Sequence, residues 1–291
     1  MKKLIVSYED DEKNLITYLT SKFPNLNVNA LYKALRKKDI KINGKRINAN
    51  VKLSYGDTLE VYITDDILLG IQKDIDIPVV FEDENIVVFN KPINLEVEGN
   101  NSLTSLMKNS YDYLMPCHRI DRNTIGLVLF AKNETSLNII NNLFKNYKIE
   151  KHYIACVYGI SKPNAVLTDY LFKDSKKSLV YISSEPKKGY TKIQTSYSTI
   201  SQNKDKKLSL LNVTLHTGKT HQIRAHLSYA GLPLLGDGKY GSYEINKRFK
   251  ITTQALCSYS ITFHIDEDNC LSYLNGTTIQ LKKIAFQELM K

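Results

Sequence analysis

Apolar residues at Leu15, Leu19 and Phe23 recur at helical spacing, and so do Leu31, Ala34 and Leu35, with Asn27 or Asn29 placed to cap the second helix. The period then changes. Ile40 and Ile42 alternate into Asn43-Gly44, a dipeptide suited to a two-residue hairpin turn, and Ile47 resumes beyond it. Leu59-Val61-Ile63 reads as a further strand after Gly56-Asp57, and the polar Thr64-Asp65-Asp66 closes the segment. The pattern predicts a small α+β domain over residues 1–65, built as helix, helix, hairpin and strand, then a linker over 66–76 and a second domain over 77–291.

In the longer domain, Val79-Val80-Phe81 and Ile86-Val87-Val88-Phe89 flank the polar Glu82–Asn85 and predict a hairpin ending at Asn90-Lys91-Pro92. Leu127 to Ala131 is an apolar strand, and Lys151 to Gly159 is another in which Tyr153, Ala155 and Val157 share a face. Ile223, Leu227 and Ala230 mark the buried face of a helix that stops at Gly231, leaving His221, Arg224 and Ser228 on its polar face. Short strands alternating with helices to the end, without repeats, predict one α+β domain.

Composition narrows the class. With 42% apolar and 24% charged residues in 291, and only 13 Gly and 7 Pro, the chain reads as globular and water-soluble. The excess of 40 Lys+Arg over 30 Asp+Glu, +10 at neutral pH, favours a polyanionic partner, nucleic acid before a membrane surface. Half of that excess lies in residues 1–62, where 12 basic residues face 7 acidic ones. Lys33, Arg36 and Lys37 fall on one helix face away from Leu31 and Leu35, and Lys45 and Arg46 sit on the following hairpin. A lone basic run is usually a solvated face; grouped on a helix and the adjoining hairpin, it suits phosphate. The four cysteines are far apart and predict reduced thiols rather than a zinc site or redox pair. No signal-peptide core follows Lys2-Lys3, and apolar runs such as Ile125 to Ala131 are far shorter than the ~20 residues that span a bilayer, so a cytoplasmic protein without membrane contact is expected.

Two clusters carry chemistry. In His118-Arg119-Ile120-Asp121-Arg122-Asn123-Thr124 an aspartate stands between two arginines just before a buried strand, at the edge of a sheet where clefts form. Taken alone it is a surface turn with a salt bridge. The second cluster, Thr217-Gly218-Lys219-Thr220-His221-Gln222-Ile223-Arg224-Ala225-His226, places Arg224 near the electropositive start of a helix, suited to hold a carboxylate or a phosphate. It is not a phosphate-binding loop, because the glycine required five residues before Gly218 is Val213. It is not a metal site either, since His216, His221 and His226 are five apart and scatter around a helix. Tyr153 reads on periodicity as a core aromatic, although a ring with a hydroxyl beside an aspartate would also serve base stacking and proton traffic.

His-Arg-Ile-Asp-Arg-x-Thr-x-Gly-Leu from His118, Lys-x-Tyr-x-Ala-x-Val-x-Gly from Lys151, and Thr-Gly-Lys-Thr-His-Gln-Ile-Arg-x-His-Leu from Thr217 with Gly231–Gly241 after it occur in order, with Asn90-Lys91-Pro92 before them and Gln254-Ala255-Leu256 beyond. Over roughly residues 75–265 this resembles the RluA family of pseudouridine synthases. Residues 1–65, with Ile-x-Ile-Asn-Gly-Lys-Arg-Ile at 40–47, resemble the alpha-L RNA-binding motif. The resemblance implies a pseudouridine synthase fold, with a mixed, mostly antiparallel sheet, flanking helices and a central cleft. It implies that Asp121 is the catalytic aspartate, Tyr153 the active-site tyrosine, Arg224 the arginine paired with that aspartate, and Arg119 the side chain that helps displace the target base. Arg122, Lys219 and His221 are further RNA contacts expected on the same domain. Ile120, Asn123, Ile125, Lys219 and Asn94 depart from the family's usual Leu, Asp, Ser or Thr, Arg and Gly.

The chemistry implied needs neither metal nor cofactor. The bond from ribose C1′ to uracil N1 breaks, the base turns, and C5 joins C1′. A glycosidase uses two carboxylates because an alcohol leaves poorly without an acid, whereas uracil leaves as a delocalised anion and one carboxylate can suffice. A proton must then leave C5, a task for a weak base or relay, for which Tyr153 is the candidate. The expected partner is RNA, large-subunit ribosomal RNA first and tRNA as the alternative, acted on by a monomer. Competing readings are a non-catalytic RNA-binding factor and a ribosidase that releases free uracil.

Overall fold

The Asn43-Gly44 turn shows how local chemistry sets the first part of the chain: both residues take left-handed backbone, φ 49° and 79°, matching the turn to the twist of the strands it joins. The computed structural model describes residues 1–68 and 75–291, and the chain divides into Met1–Asp76 and Ile77–Lys291. Within Met1–Asp76 the elements run β1 (Lys2–Ile5), α1 (Leu15–Lys22), α2 (Val28–Lys37), β2 (Ile40–Ile42), β3 (Lys45–Arg46), β4 (Thr58–Val61) and α3 (Asp65–Leu68). The strands form an antiparallel sheet in the order β1-β4-β2-β3. Strand β1 is an addition to the expected helix, helix, hairpin and strand. Its partner is β4 more than fifty residues later, Lys2 opposite Val61, so no local signal announces it.

Asn27 caps α2, its side chain accepting from the Asn29 amide at 2.8 Å. Leu31, Ala34 and Leu35 bury the inner face of that helix against Leu15, Leu19, Ile40 and Leu59. Leu68, assigned by sequence to the linker, is fully buried in the same core; residues 69–74 of the expected linker lie outside the described residues.

In Ile77–Lys291 the elements are β5 (Val79–Glu82), β6 (Ile86–Lys91), α4 (Leu103–Met107), β7 (Met115–Pro116), β8 (Ile125–Ala131), α5 (Glu134–Lys145), β9 (Ile149–Tyr158), β10 (Asn164–Asp174), β11 (Leu179–Ser183), β12 (Thr191–Asn203), β13 (Leu208–Leu215), α6 (Gln222–Tyr229), α7 (Tyr243–Phe249), β14 (Leu256–Phe263) and β15 (Thr278–Gln280). One sheet of mixed direction holds all eleven strands, with the path β11-β10-β12-β13-β9-β14-β8-β6-β5. The expected alternation of short strands with helices is replaced over β9 to β13 by antiparallel strands in the order β11-β10-β12-β13-β9, with no helix between them. Their Ser-, Thr- and Lys-rich outer positions carry little hydrophobic period, and their pairing is set by neighbours in the sheet.

Two halves of this sheet meet at β14. It runs antiparallel to β9 over most of its length but parallel to β8 over just two residues, Cys257 opposite Ile125 and Ser258 opposite Gly126. Gly126 makes this crossing possible: it has φ 105°, and a β-carbon there would lie 2.1 Å from the Ser258 carbonyl oxygen. The chain immediately before Gly126 carries Asp121.

Candidate active site

The loop ahead of β8 is held from three sides. Thr124 N–H donates to the Asp121 carbonyl at 3.0 Å, and the buried Thr124 hydroxyl accepts from Gln254 Nε2 at 2.9 Å. Lys91, at the end of β6 and fully buried, donates to the carbonyls of Pro92, Leu95 and Arg122 at 2.9, 2.7 and 3.1 Å. All three protons of its ammonium thus have an acceptor, the condition for keeping a lysine inside a protein. Burial lowers that ammonium to about 8, although the charge of Asp121 works in the other direction. Upstream, His118 Nε2 accepts from the Leu129 amide at 3.1 Å; burial, with repulsion from Lys151, pushes it down to about 3 and keeps the ring neutral. Asn94 stands at φ 63°, left-handed backbone that asparagine tolerates in place of glycine, and its carbonyl accepts from Arg122 Nε at 3.2 Å.

Asp121 opens into a cleft of about 1280 Å³ also lined by Tyr153 and Arg224. Arg224 Nη1 donates to Asp121 Oδ2 at 2.7 Å, across 103 residues of sequence. The other oxygen, Oδ1, accepts no hydrogen bond from the described residues and is the one open to a ligand. The arginines flanking Asp121 in sequence are not its partners. Arg119 reaches Glu98 at 3.5 Å, and Arg122 turns to Asn94.

Arg224 corrects the amphipathic reading of α6. Gln222 to Leu227 are all buried, so the helix has no solvent face there; the side meant for water is covered by residues 237–240. Asp237, buried after Leu234-Leu235-Gly236, accepts from Arg224 Nε at 2.7 Å and from Nη2 at 2.9 Å in a two-pronged pair. Burial opposes the guanidinium charge, but Asp237 and then Asp121 outweigh it and raise the group above its ordinary value. Burial likewise works against the Asp237 carboxylate, and Arg224 overrules it and draws the group down. Tyr240 completes the cover, with its ring centre 5.3 Å from the guanidinium and its hydroxyl 2.8 Å from His221 Nδ1. Ala230, expected on the buried face, is exposed.

Sequence reasoning met Asp237, Tyr240 and Lys91 inside the matching motifs but gave none of them a role. The available signal was an acid and a lysine adjoining apolar runs. At Gly236, φ 78°, a β-carbon would lie 2.0 Å from the Thr253 carbonyl, so the turn that delivers Asp237 requires glycine.

Tyr153 is buried on β9 among Val213, Ile223 and Leu227 and lines the cleft. Burial raises its phenol above the ordinary range, and the nearby Asp121 adds to this. It is therefore a hydroxyl, not a phenolate, at neutral pH. His221 lies 4.0 Å from Asp121 Oδ2; burial lowers it, the pull of Asp121 notwithstanding. Arg119, Arg122, Lys219 and His221 all line the cleft. Lys33, Arg36, Lys37, Lys45 and Arg46 belong to Met1–Asp76, are all exposed, and enter no ion pair among the described residues. Among the described residues no three His, Cys, Asp or Glu side chains gather to hold a metal ion, and no helix is long and apolar enough to cross a membrane. All four cysteines are free thiols.

Comparison with known proteins places this geometry. The sequence profile described as RNA pseudouridylate synthase matches residues 85–229, which include Asp121, Tyr153 and Arg224. The chain is 32% identical to an uncharacterized RNA pseudouridine synthase of Mycoplasma capricolum, over 96% of this chain and 97% of that one. It is 30% identical to the ribosomal large subunit pseudouridine synthase C of Buchnera aphidicola, over 85% and 83%. The solved human RNA pseudouridylate synthase domain containing 1 superimposes with a TM-score of 0.58 at 19% identity, covering 74% of this chain and 93% of that one, so the α+β pseudouridine synthase fold is shared. A mixed sheet of this fold, with a family profile that takes in Asp121, Tyr153 and Arg224 and a relative alike over nearly its whole length, makes this chain a member of the RNA pseudouridylate synthase family, an isomerase of uridine in RNA.

Proposed function

We propose that the chain converts uridines of large-subunit ribosomal RNA to pseudouridine, with Asp121 as the one catalytic carboxylate. The observation that carries the reading is the Asp121 carboxylate in the cleft, with Oδ2 fixed by Arg224 and Oδ1 open. The substrate class follows the relatives named as ribosomal large subunit pseudouridine synthase C. Arg224, anchored by Asp237, keeps the carboxylate aimed, so no reorganisation is needed when positive charge develops at ribose C1′. Oδ1 meets that carbon as the bond to N1 breaks and uracil leaves as its anion. The base turns and C5 bonds to C1′. The C5 proton then departs while N1 takes one up, so atoms balance with no other reactant.

Tyr153, a neutral hydroxyl, fits a relay that accepts that proton on oxygen while passing its own onward. Its raised phenol argues against a phenolate base. Arg119, exposed at the cleft and held loosely by Glu98, fills the place of the displaced base, and Arg122, Lys219 and His221 contact the strand around it. The first unit acts as an alpha-L type RNA grip through Lys33, Arg36, Lys37, Lys45 and Arg46, which meet no carboxylate among the described residues. Such contacts hold phosphate without reading sequence.

Asp121→Asn keeps the shape and removes the charge. With a large-subunit ribosomal RNA transcript labelled at uridine C5, release of the label is expected to fall by at least about a thousandfold, with RNA affinity within about threefold. Substantial residual release would remove Asp121 from its role. Free uracil among the products would identify a ribosidase instead.

A further inference from the structure

Helix α5 ends in a left-handed turn of the kind glycine favours: the Lys148 amide donates to the Leu143 carbonyl at 2.8 Å and the Tyr147 amide to that of Phe144 at 3.3 Å, with Tyr147 itself at φ 56°. A bulky side chain is strained there. The ring is not kept for packing, because Tyr147 is 71% exposed and belongs to none of the apolar clusters among the described residues. It lines the same cleft as Asp121. The turn serves the helix end, but a bulky exposed ring kept at that strained position on the cleft wall, where no packing offsets it, points to a ligand.

A second observation lies beside it. Lys151 is on β9 two residues before Tyr153 and on the same face, with Nζ 4.7 Å from the centre of the Phe144 ring. It also lies against the 217–220 loop, 3.8 Å from where a β-carbon on Gly218 would stand. This ammonium lines the cleft and meets no carboxylate among the described residues. Burial alone lowers it to about 8, the condition of a cation placed for an anion that the described residues do not supply. Lys145, exposed on the last turn of α5, adds charge at the same rim.

We propose that Tyr147 and Lys151 form a nucleotide subsite next to the reacting uridine, the ring stacking an unpaired base of the RNA and the ammonium receiving the phosphate of that nucleotide. The inference rests on the RNA pseudouridine synthase reading and adds to it where a neighbouring nucleotide is held. Stacking on one aromatic ring tolerates any base, so the subsite selects for an unpaired neighbour rather than for a sequence.

The chain contains no tryptophan, so Tyr147→Trp introduces a single indole at the subsite. Titrated with a uridine-rich single-stranded oligonucleotide, its fluorescence is expected to quench saturably. Indole emission unchanged at saturating oligonucleotide overturns the stacking. In turnover on the ribosomal RNA transcript, Tyr147→Gly is expected to raise KM about tenfold with kcat within about twofold, and to leave the melting temperature equal or higher because strain is relieved. Tyr147→Phe restores KM. A lower melting temperature with unchanged KM assigns the ring to the fold and overturns the proposal. Lys151→Gln is expected to raise KM and flatten the salt dependence of binding, and an unchanged salt dependence removes Lys151 from the subsite. Should the wild-type chain form no pseudouridine in that transcript, the substrate reading fails, while oligonucleotide quenching still decides the subsite.

Discussion

In Met1–Asp76 the cations Lys33, Arg36, Lys37, Lys45 and Arg46 are exposed and free of ion pairs among the described residues, whereas in Ile77–Lys291 Arg224 is buried with three of its nitrogens bonded to two carboxylates. Exposed cations add little to folding and remain available to phosphate, where salt competes with them. A buried guanidinium whose three nitrogens each already bond a carboxylate serves to hold another protein group in place. The +10 of the chain is thus no measure of its RNA-binding surface until each cation is sorted by what it already touches.

The comparison breaks hardest at Asp237. Asp237→Asn removes the buried anchor of Arg224, so a loss of about 3 kcal/mol in stability is expected, together with a drop in turnover of about a hundredfold as Asp121 loses its alignment. Melting curves and single-turnover rates measure the two, and turnover near the wild-type level would show that Asp121 needs no anchored partner. A smaller and purely electrostatic effect is expected from Lys33→Gln, Arg36→Gln and Lys37→Gln combined. Stability should hold within about 0.5 kcal/mol, while the slope of log affinity against log salt falls by about 0.7 to 1 for each phosphate that the variant no longer neutralises. An unaltered slope would make this face a solvated one. The smallest effect is a pH split centred on Lys91. Its folded value of about 8 lies below the ordinary lysine value of about 10.4, so the unfolded chain binds more protons between the two and this group's contribution to stability rises with pH across that window. The neutral amine offers two donors to three carbonyls, which loosens the Asp121 loop. Turnover is therefore expected to decline several-fold above pH of about 8 with no parallel fall in melting temperature; a matching fall would trace the loss to unfolding.

What the sequence revealed was local. Asn43-Gly44, the Asn27 cap and the Tyr153 face of β9 all follow from residues within a few positions of one another. What it hid was made by distant partners. Strand β1 exists because of β4, and α6 reads as amphipathic because nothing nearby says that Asp237 and Tyr240 will cover its polar side. Taken alone, the turn around Asp121 reads as a surface salt bridge with Arg119 or Arg122, and only the family resemblance pointed to Arg224, 103 residues away, as the cation on it. Proximity along the chain is a poor guide in this site because the side chains of Arg119 and Arg122 turn to Glu98 and Asn94 instead.

Strand β14 lies between β9, which carries Tyr153, and β8, which follows Asp121, and it is the last long strand in the chain. During translation, therefore, the seam on which the two halves of the site depend stays open until residues 256–263 have emerged and paired. A nascent chain stopped before that point has made every residue of the Asp121–Arg224–Asp237 set and still lacks the strand that brings β8 alongside β9. A chain cut within residues 256–263 is therefore expected to modify no RNA although every residue of that set is present.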